Sequence, residues 1–404
     1  MLDRLLLLIP FWLLLDFYFF KVVKSAVGGL PPTWRRMIYG IYWAYDGLLI
    51  AALFYLKLSG GGIFSGYFFS LVAPMLLSII PKLCMLPFLL LKDAGWLTFR
   101  VANRRDAPFS PARRKFINQA ILGASAIPFG YVAFGVSRGA YHYTVHRNTL
   151  YFEDLPAAFD GFTITQLSDI HCGSLDDREA VERGVRLANA QESDLIAITG
   201  DVVNNQATEL HQWMDVFSAL TAPFGVFSIL GNHDYGDYMD WPSEEAKAAN
   251  LEQLKSLQRE MGFHLLLDEH LKIEKAGEHI NLIGVQNWGK RFRQYGDLDK
   301  ALEKVGENTF SVLLSHDPSH WEGQVLAHPK PVQLTLSGHT HGMQFGIDIP
   351  GIRWSPAKYM YKQWAGIYSQ GSRYINVNRG FGFLGFSGRI GVWPEISVIT
   401  LKRA

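Results

Sequence analysis

The pattern of hydrophobic positions divides the chain into two parts. The first 140 residues are rich in Leu, Phe and Tyr and hold four long apolar runs, at about 5–23, 37–56, 63–91 and 117–136. A membrane-spanning helix needs about 20 consecutive apolar residues, and these runs show almost no amphipathic alternation. We therefore predict an all-α transmembrane region over residues 1–140, with about four helices.

The second part, residues 150–404, has the composition of a globular domain, and its apolar runs are short. Residues 139–156 are predicted as a tether followed by a first edge strand. Helices are predicted at about 177–191, 207–220 and 243–261, and β-like runs at 263–267, 270–275, 280–285, 311–315, 333–337, 373–377 and 395–401. Strands that alternate with helices and then follow in series predict two stacked sheets flanked by helices.

The basic residues between the apolar runs predict which side of the membrane each loop faces. Lys21, Lys24, Arg35 and Arg36 lie between the first two runs, and seven basic residues lie between the third and the fourth. Only Lys57 lies between the second and the third. Because cytoplasmic loops carry an excess of Lys and Arg, we expect the N-terminus and the second part to lie outside the cytoplasm.

Two acidic residues, Asp16 and Asp46, lie inside apolar runs. Carboxylates within a membrane are costly and often mark a functional site. We interpret them as paired with Tyr, Trp or Arg neighbours inside a small helical bundle. A site for a lipid headgroup between the helices is the alternative.

Five apolar runs of the second part end in Asp, Asn or His. The residues that follow them, in chain order, are Asp169 and His171, Asp201, Asn232 and His233, His316, and His339 and His341. Residues i and i+2 of a strand point the same way, so Asp169 and His171 present a carboxylate and an imidazole on one side. Such a set suits a borderline or hard divalent metal, and the pattern therefore predicts a metal site at the strand ends.

The complete pattern resembles that of the calcineurin-like metallophosphoesterases, in which D-x-H, G-D, G-N-H-D/E, a lone H and G-H-x-H follow in this order. The resemblance covers roughly residue 155 to the C-terminus. It implies a four-layer α/β/β/α sandwich with the metals at the strand ends. The whole architecture resembles bacterial transmembrane proteins with a C-terminal metallophosphoesterase domain, which implies a multi-pass protein of the bacterial inner or cell membrane.

The resemblance implies a role for each matching residue. Two divalent metal ions would each have three ligands of their own: Asp169, His171 and His341 for one, and Asn232, His316 and His339 for the other. Asp201 would bridge the ions, and His233 would stabilise charge on phosphorus or protonate the leaving oxygen. The mixture of N and O ligands suits Mn, Fe, Zn, Ni or Co.

Asn204 departs from the pattern of many relatives, which have an Asp three residues after the bridging Asp to orient the catalytic His. An Asn accepts a hydrogen bond but carries no charge, so it would raise the pKa of His233 less than an Asp. We expect either that His233 acts mainly as a donor or that Asp234 or another carboxylate assists it.

The C-terminal stretch holds polar residues among glycines and aromatics. Arg379, Arg389 and Asn378 are predicted to bind substrate, because arginines near a metal site suit phosphate or a second anionic group. The neighbouring Phe381 and Phe383 either pack in a Gly-rich loop or contact a bilayer or an acyl chain.

These features together predict a membrane-anchored, metal-dependent phosphoric ester hydrolase. It would cleave a phosphodiester or pyrophosphate of a lipid or envelope precursor, by attack of a hydroxide that bridges the metals. The bilayer and a phosphorylated small molecule or lipid are the expected partners, and the formal net charge of +1 gives no general attraction to nucleic acid. The alternatives are a UDP-2,3-diacylglucosamine pyrophosphatase and a membrane scaffold or sensor with a vestigial metal site. The first alternative conflicts with the predicted topology, since its substrate is made in the cytoplasm.

Overall fold

A computed structural model describes residues 6–59, 66–102, 111–307 and 309–404. The chain divides into two compact units. The first comprises Met1–Ser137 and Gly385–Ser387, and the second comprises Arg138–Leu384 and Gly388–Ala404.

The first unit is helical. Its helices are α1 (Ile9–Ala26), α2 (Pro32–Leu58), α3 (Gly66–Ala102), α4 (Pro111–Ala124) and α5 (Ala126–Ser137). Three stretches of the described residues are long and apolar enough to cross a membrane: Pro32–Leu58, Phe68–Thr98 and Ala112–Ser137. The third stretch joins α4 and α5. The first apolar run forms α1, which carries three charged residues in its 18 positions, and the expectation that it also spans stays a prediction.

Helix α3 continues through three prolines, Pro74, Pro81 and Pro87. Each proline removes a main-chain donor inside the helix. Such interruptions are tolerated in membrane helices where neighbouring groups satisfy the freed carbonyls. The hydroxyl of Tyr45 on α2 donates to the main-chain oxygen of Pro74 over 3.0 Å, which links these two helices.

The second unit contains two six-stranded sheets and a short hairpin. The first sheet has the order β1 (Thr144–Phe152), β14 (Glu395–Arg403), β2 (Thr163–Leu167), β3 (Leu195–Ile198), β4 (Val226–Ser228) and β5 (Phe263–Leu265). The second has the order β12 (Gly366–Gln370), β13 (Arg373–Val377), β9 (Leu334–Ser337), β8 (Ser311–Leu314), β7 (Glu278–Gly284) and β6 (Glu269–Lys275). The hairpin pairs β10 (Ile347–Ile349) with β11 (Ile352–Trp354).

Three hydrophobic cores show that the sheets are stacked and covered by helices. One core lies between the sheets and joins Ile164 and Leu195 to Leu282 and Leu334. The outer faces are covered by helices, which are α6 (Arg178–Asn189), α7 (Met214–Phe217) and α8 (Glu244–Glu260) on the first sheet and α9 (Leu298–Leu302) and α10 (Ser319–Gly323) on the second. The predicted four-layer α/β/β/α sandwich is therefore confirmed.

The direction of the strands positions the site. Strands β2, β3, β4 and β5 run parallel in the first sheet, and β7, β8, β9 and β13 run parallel in the second. In open parallel sheets, ligands bind outside the carboxyl ends of the strands. The loops after β2, β3, β4, β8 and β9 carry every Asp, Asn and His that the sequence motifs single out.

Local signals explain most helix boundaries in this unit. Asp177 caps α6 by accepting from the Ala180 amide, and Ser243 caps α8 by accepting from the Ala246 amide. The helix predicted at 207–220 is instead a 3₁₀ segment, Ala207–Trp213, followed by the single turn of α7. The hairpin of β10 and β11 and the strand β12 are not in the sequence prediction.

Candidate metal centre

The first group of potential ligands contains Asp169 and His171, after β2, and His341, after β9. These residues are buried, and their ligand atoms lie within 4.8 Å of one another. His171 Nε2 lies 3.0 Å from His341 Nε2, and His341 Nε2 lies 3.3 Å from Asp169 Oδ1. One carboxylate and two imidazole nitrogens therefore converge on a single point.

The second group contains Asp201, after β3, His316, after β8, and His339, after β9. His316 Nε2 lies 3.0 Å from Asp201 Oδ2 and 3.3 Å from His339 Nδ1. Asn232, after β4, joins this group, since its Oδ1 lies 2.8 Å from the same His339 nitrogen. This group therefore offers two oxygens and two nitrogens.

Asp201 lies between the two groups. Its Oδ2 atom is 3.0 Å from His316 Nε2 and 3.7 Å from His171 Nε2, so one carboxylate oxygen faces ligands of both groups. Its Oδ1 atom accepts a hydrogen bond of 2.8 Å from the main-chain amide of His233. This position is the one that a carboxylate shared by two ions requires.

The residues present fit two divalent ions. The close nitrogen–nitrogen distances bring lone pairs together in buried positions, and such an arrangement is favourable when a cation lies between them. The second ring nitrogen of two ligands is held by an oxygen, with His316 Nδ1 donating to the Thr199 main-chain oxygen over 2.7 Å and His171 Nδ1 lying 3.0 Å from Asn204 Oδ1. Contacts of this kind fix the tautomer of metal-ligating histidines.

The charges of the site favour neutral imidazoles and ionised carboxylates. Burial lowers the pKa of His171 well below its usual range, and the charges of His341 and His233 lower it further. Burial also lowers the pKa of His339 and His341. Burial alone would raise the pKa of Asp201, but the neighbouring His316 lowers it well below its usual range.

His316 is the one imidazole of the site whose pKa shifts upward among the described residues. Burial opposes its charge, but the Asp201 carboxylate outweighs burial and raises the pKa of His316 to about 10. The raised pKa of His316 shows that the position beside the Asp201 carboxylate attracts positive charge. A divalent ion would take the place of that proton, because only a neutral imidazole can bind a metal.

Most of the ligands sit on strained backbone. Asp169, His171, Asp201, His339 and His341 all have positive φ, between 48° and 72°. This conformation is uncommon for residues other than Gly and persists at functional sites where the surroundings fix it. The Asp201 carboxylate packs directly against Gly231, where a Cβ atom would overlap it.

His233 is half-buried, and its ring nitrogens have different roles. Its Nδ1 lies 2.8 Å from the main-chain oxygen of Asn204. A carbonyl can only accept, so Nδ1 carries the proton and Nε2 is left to interact with substrate. The Asn204 side chain contacts His171 and not His233. The presence of Asn instead of the usual Asp therefore changes the hydrogen-bond partner of His171, a predicted metal ligand.

Asp234 holds two ligand loops together. Its Oδ2 accepts from the amides of Asp201 and Gly231, over 2.9 and 2.8 Å, and its Oδ1 accepts from Val202 and Val203, over 2.8 and 3.2 Å. Burial, and after it the Asp201 charge, raises the pKa of Asp234 to about 7. The sequence prediction offered Asp234 as an assistant to His233, but its hydrogen bonds go to the main chain.

Two tyrosines support the second group and were missed in the sequence. The Tyr361 hydroxyl lies 2.8 Å from His339 Nε2, which leaves Nδ1 directed toward Asn232 and His316. Asn232 Nδ2 donates to the Tyr238 hydroxyl over 2.8 Å, so the amide oxygen faces the ligands. The Tyr238 ring also lies 4.5 Å from the His233 ring. Neither tyrosine belongs to a motif, so no sequence signal identified them.

The three residues predicted to bind substrate are buried and bonded within the protein. Arg379 pairs with Glu395 and, over 2.6 Å, with Asp348. Arg389 donates to the main-chain oxygen of Arg379 and lies 2.9 Å from His341 Nδ1. Asn378 Nδ2 donates to the Gln166 main-chain oxygen and the Ser397 hydroxyl. These contacts indicate that the three side chains stabilise the loops that carry the ligands. Their role in substrate binding stays a prediction.

Phe381 and Phe383, the two aromatic residues of the C-terminal stretch with two expected roles, pack inside the protein. Phe381 and Phe383 are almost fully buried in the core under the first sheet, which is ordinary packing. Tyr359 and Met360, in contrast, are exposed, as are the isoleucines at 347, 349 and 352 around the hairpin.

The fold and the two ligand groups define a metallophosphoesterase, and comparison with known proteins gives the same class. Residues 162–343 match the family described as calcineurin-like phosphoesterase, and residues 3–140 match a probable calcineurin-like phosphoesterase transmembrane domain. The chain belongs to the calcineurin-like metallophosphoesterases and has the transmembrane domain found with them. The predicted family is therefore confirmed.

Relatives match most of the length of the chain. It is 31% identical over 299 residues to the uncharacterized metallophosphoesterase YkuE of Bacillus subtilis, covering 72% of this chain and 98% of that protein. It is 26% identical over 374 residues to a transmembrane protein with metallophosphoesterase domain of Danio rerio, covering 88% of this chain and 80% of that protein. The chain is thus a membrane-associated metallophosphoesterase.

Proposed function

We propose that the protein is a membrane-anchored phosphoesterase that uses two divalent metal ions to hydrolyse a phosphodiester or pyrophosphate of a lipid or envelope precursor. The observation that carries this proposal is the convergence of two ligand groups on the shared Asp201. Asp169, His171 and His341 would hold one ion, and Asn232, His316 and His339 the other. When bound, two such ions activate water and neutralise phosphoryl oxygens.

The protein's own residues supply the remaining chemistry. Because Nδ1 of His233 donates to the Asn204 carbonyl, the ring is fixed and Nε2 is the atom that can hold a proton for the leaving oxygen. A side chain in this role typically contributes about 10²–10⁴-fold to the rate. Tyr238, packed on the His233 ring, restricts the position of that ring.

The rim of the site favours an anionic substrate. The Phe292 ring lies 4.6 Å from the His339 ring, so the loop that carries it borders the second ligand group. Lys290, Arg291 and Arg293 of the same loop are exposed, and the described residues provide no carboxylate within salt-bridge distance of them. Basic side chains at this position would attract a phosphorylated group.

Two features support a substrate in the membrane. The transmembrane domain keeps the catalytic unit within reach of the bilayer. The segment between His341 and Tyr361, both of them at the metal centre, exposes Ile349, Ile352 and Tyr359 by 52, 55 and 73%. Exposed apolar side chains that adjoin a site suit a substrate with acyl chains.

The test uses the purified full chain in lipid nanodiscs, loaded with Mn²⁺, and compares a soluble aryl phosphodiester, phospholipid diesters and UDP-2,3-diacylglucosamine. We expect hydrolysis of the soluble diester and faster hydrolysis of a lipid substrate, both abolished by Asp201→Asn. Preference for the UDP-lipid would favour the pyrophosphatase alternative. Absence of turnover of every compound, with cellular function retained by Asp201→Asn, would favour the scaffold and contradict the proposal.

A further inference from the structure

Three helices of the first unit bring charged side chains together in a buried position. Asp16 lies on α1, Asp46 on α2, and Lys82 on α3 with Ser78 one turn before it. Their exposed fractions are 0, 2, 7 and 6%, in that order. The cluster also answers the question left by the two acidic residues, since a lysine of the third apolar run is their basic partner.

The contacts of Lys82 use all the donors of its ammonium group. It pairs with Asp16 Oδ1, with Asp46 Oδ2 over 2.8 Å and with the Ser78 hydroxyl over 2.7 Å. The Ser78 hydroxyl in turn donates to Asp46 Oδ1. Both oxygens of Asp46 are therefore satisfied, and Lys82 has no donor left for a further acceptor.

The carboxylate of Asp16, unlike that of Asp46, has one oxygen without a hydrogen-bond partner among the described residues. Its Oδ1 atom pairs with Lys82 and lies 3.4 Å from the Tyr42 hydroxyl, which is closer, at 3.0 Å, to the Asp16 main-chain oxygen. Its Oδ2 atom is buried and accepts no hydrogen bond from any described residue. Trp12, one helical turn earlier on α1 and 5% exposed, likewise has an indole N–H without a described acceptor.

The charges of the cluster do not balance. Two ionised carboxylates and one ammonium leave one negative charge away from water, and a buried charge without a partner is strongly unfavourable. The charges that act on Asp16 are Lys82 from α3 and Asp46 from α2, while α4 contributes the apolar Ile121 to the core beside α1. One additional positive charge would neutralise the cluster.

The surroundings favour a proton over a metal ion. A metal ion needs several oxygen ligands, whereas the atoms left without partners are one carboxylate oxygen and one N–H donor. We propose that Asp16 is a proton-binding site of the membrane domain, which takes up one proton at Oδ2 while Lys82 and Asp46 remain an ionised pair. The proton comes from solvent hydronium, which leaves as water.

The proposal is tested by infrared spectroscopy of the full chain in nanodiscs at neutral pH, where a carboxylic acid and a carboxylate absorb separately. We expect the difference spectrum between the wild type and Asp16→Asn to show the band of one buried carboxylic acid, which the variant lacks. Asp46→Asn should also lose this band, because Lys82 then balances a single ionised Asp16. Asp93→Asn is the matched control, since Asp93 is half-exposed on α3 and bonds to Tyr18, and it should keep the band.

Each of these outcomes decides the proposal. Equal carboxylic-acid absorbance in the wild type and in Asp16→Asn would overturn it. Loss of the wild-type band on addition of Na⁺ at constant pH would identify a metal-ion site instead. Because Asp46→Asn tests the same charge balance through another residue, the result does not depend on the folding of one variant, and helical circular dichroism checks both.

Discussion

At the scale of single residues, the site shows how neutral partners fix the histidines. His233 is held by a main-chain carbonyl and His171 by the Asn204 amide, so neither depends on a second carboxylate. The substitution of Asn for the usual Asp therefore affects the two histidines differently. Two variants separate these effects.

The first variant is His233→Asn. Because the His233 side chain belongs to neither ligand group, the metal content should stay unchanged while kcat falls by about 10²–10⁴-fold. The fall should be larger for an alkyl than for a p-nitrophenyl leaving group, since only the poorer leaving group needs a proton. His211→Asn, at an exposed histidine, is the control. An equal fall for both leaving groups would contradict the acid role.

The second variant is Asn204→Ala, which removes the oxygen 3.0 Å from His171 Nδ1 but keeps the carbonyl that holds His233. Loss of such a partner typically weakens metal affinity or activity by about 10–100-fold. We expect this loss to be restored by added metal, as measured by titration of the metal-free protein. The control is Asn205→Ala, since the Asn205 side-chain oxygen has no described partner. Unchanged affinity in Asn204→Ala would show that His171 is oriented by other contacts.

At the scale of structural elements, the loops that follow the parallel strands act as one assembly. Asp234 connects the loop after β3 to the loop after β4 through four main-chain amides. Asp234→Asn would place an NH₂ group against two of these donors. A buried polar group without a partner costs about 1–3 kcal/mol, so the midpoint of thermal unfolding should fall by about 2–10 °C.

The Asp234→Asn protein should also bind metal more weakly, since Asp201 and Asn232 lie on the loops it connects. The measurement is calorimetry with and without Mn²⁺, and Asp240→Asn, at an exposed position of the same loop, is the control. A thermal midpoint equal to that of the wild type would refute the role of Asp234 as the link.

The strand ends could be predicted from the sequence because each short apolar run is followed at once by its polar residues. The partners of those residues could not, because they come from distant positions. Arg379 was predicted at the substrate, but it pairs with Glu395 and Asp348, which lie on other elements. The three-residue strands of the hairpin, with exposed isoleucines, lack the buried alternation that identifies a strand.

In the membrane region too, the helices could be predicted from the sequence but the contacts between them could not. The apolar runs identified the helices, since length and composition suffice for that. The pairing of Asp16 and Asp46 with Lys82 depends on the packing of three helices, which the runs do not specify. Lys82 lies in an apolar run of the sequence, but only the contacts in the structure identify it as the partner of both carboxylates.

At the scale of the whole molecule, the orientation in the membrane decides which substrates are accessible. The excess of basic residues between the predicted spans leads us to expect the catalytic unit outside the cytoplasm. A compartment-sensitive reporter fused after Ala404 should report the outside, and one inserted near Arg104 and Arg105 should report the inside. The reverse pattern would contradict the predicted topology and restore cytoplasmic nucleotide–lipid substrates.

The central claim is that two metal ions share Asp201, and the most direct test is the number of ions bound per chain. We expect mass spectrometric metal analysis of the purified, Mn²⁺-loaded full chain to give two ions in the wild type and in His233→Asn. Asp201→Ala should bind one ion or none, because the shared ligand is lost. A wild-type chain that binds a single ion, or an Asp201→Ala chain that keeps two, would contradict the account.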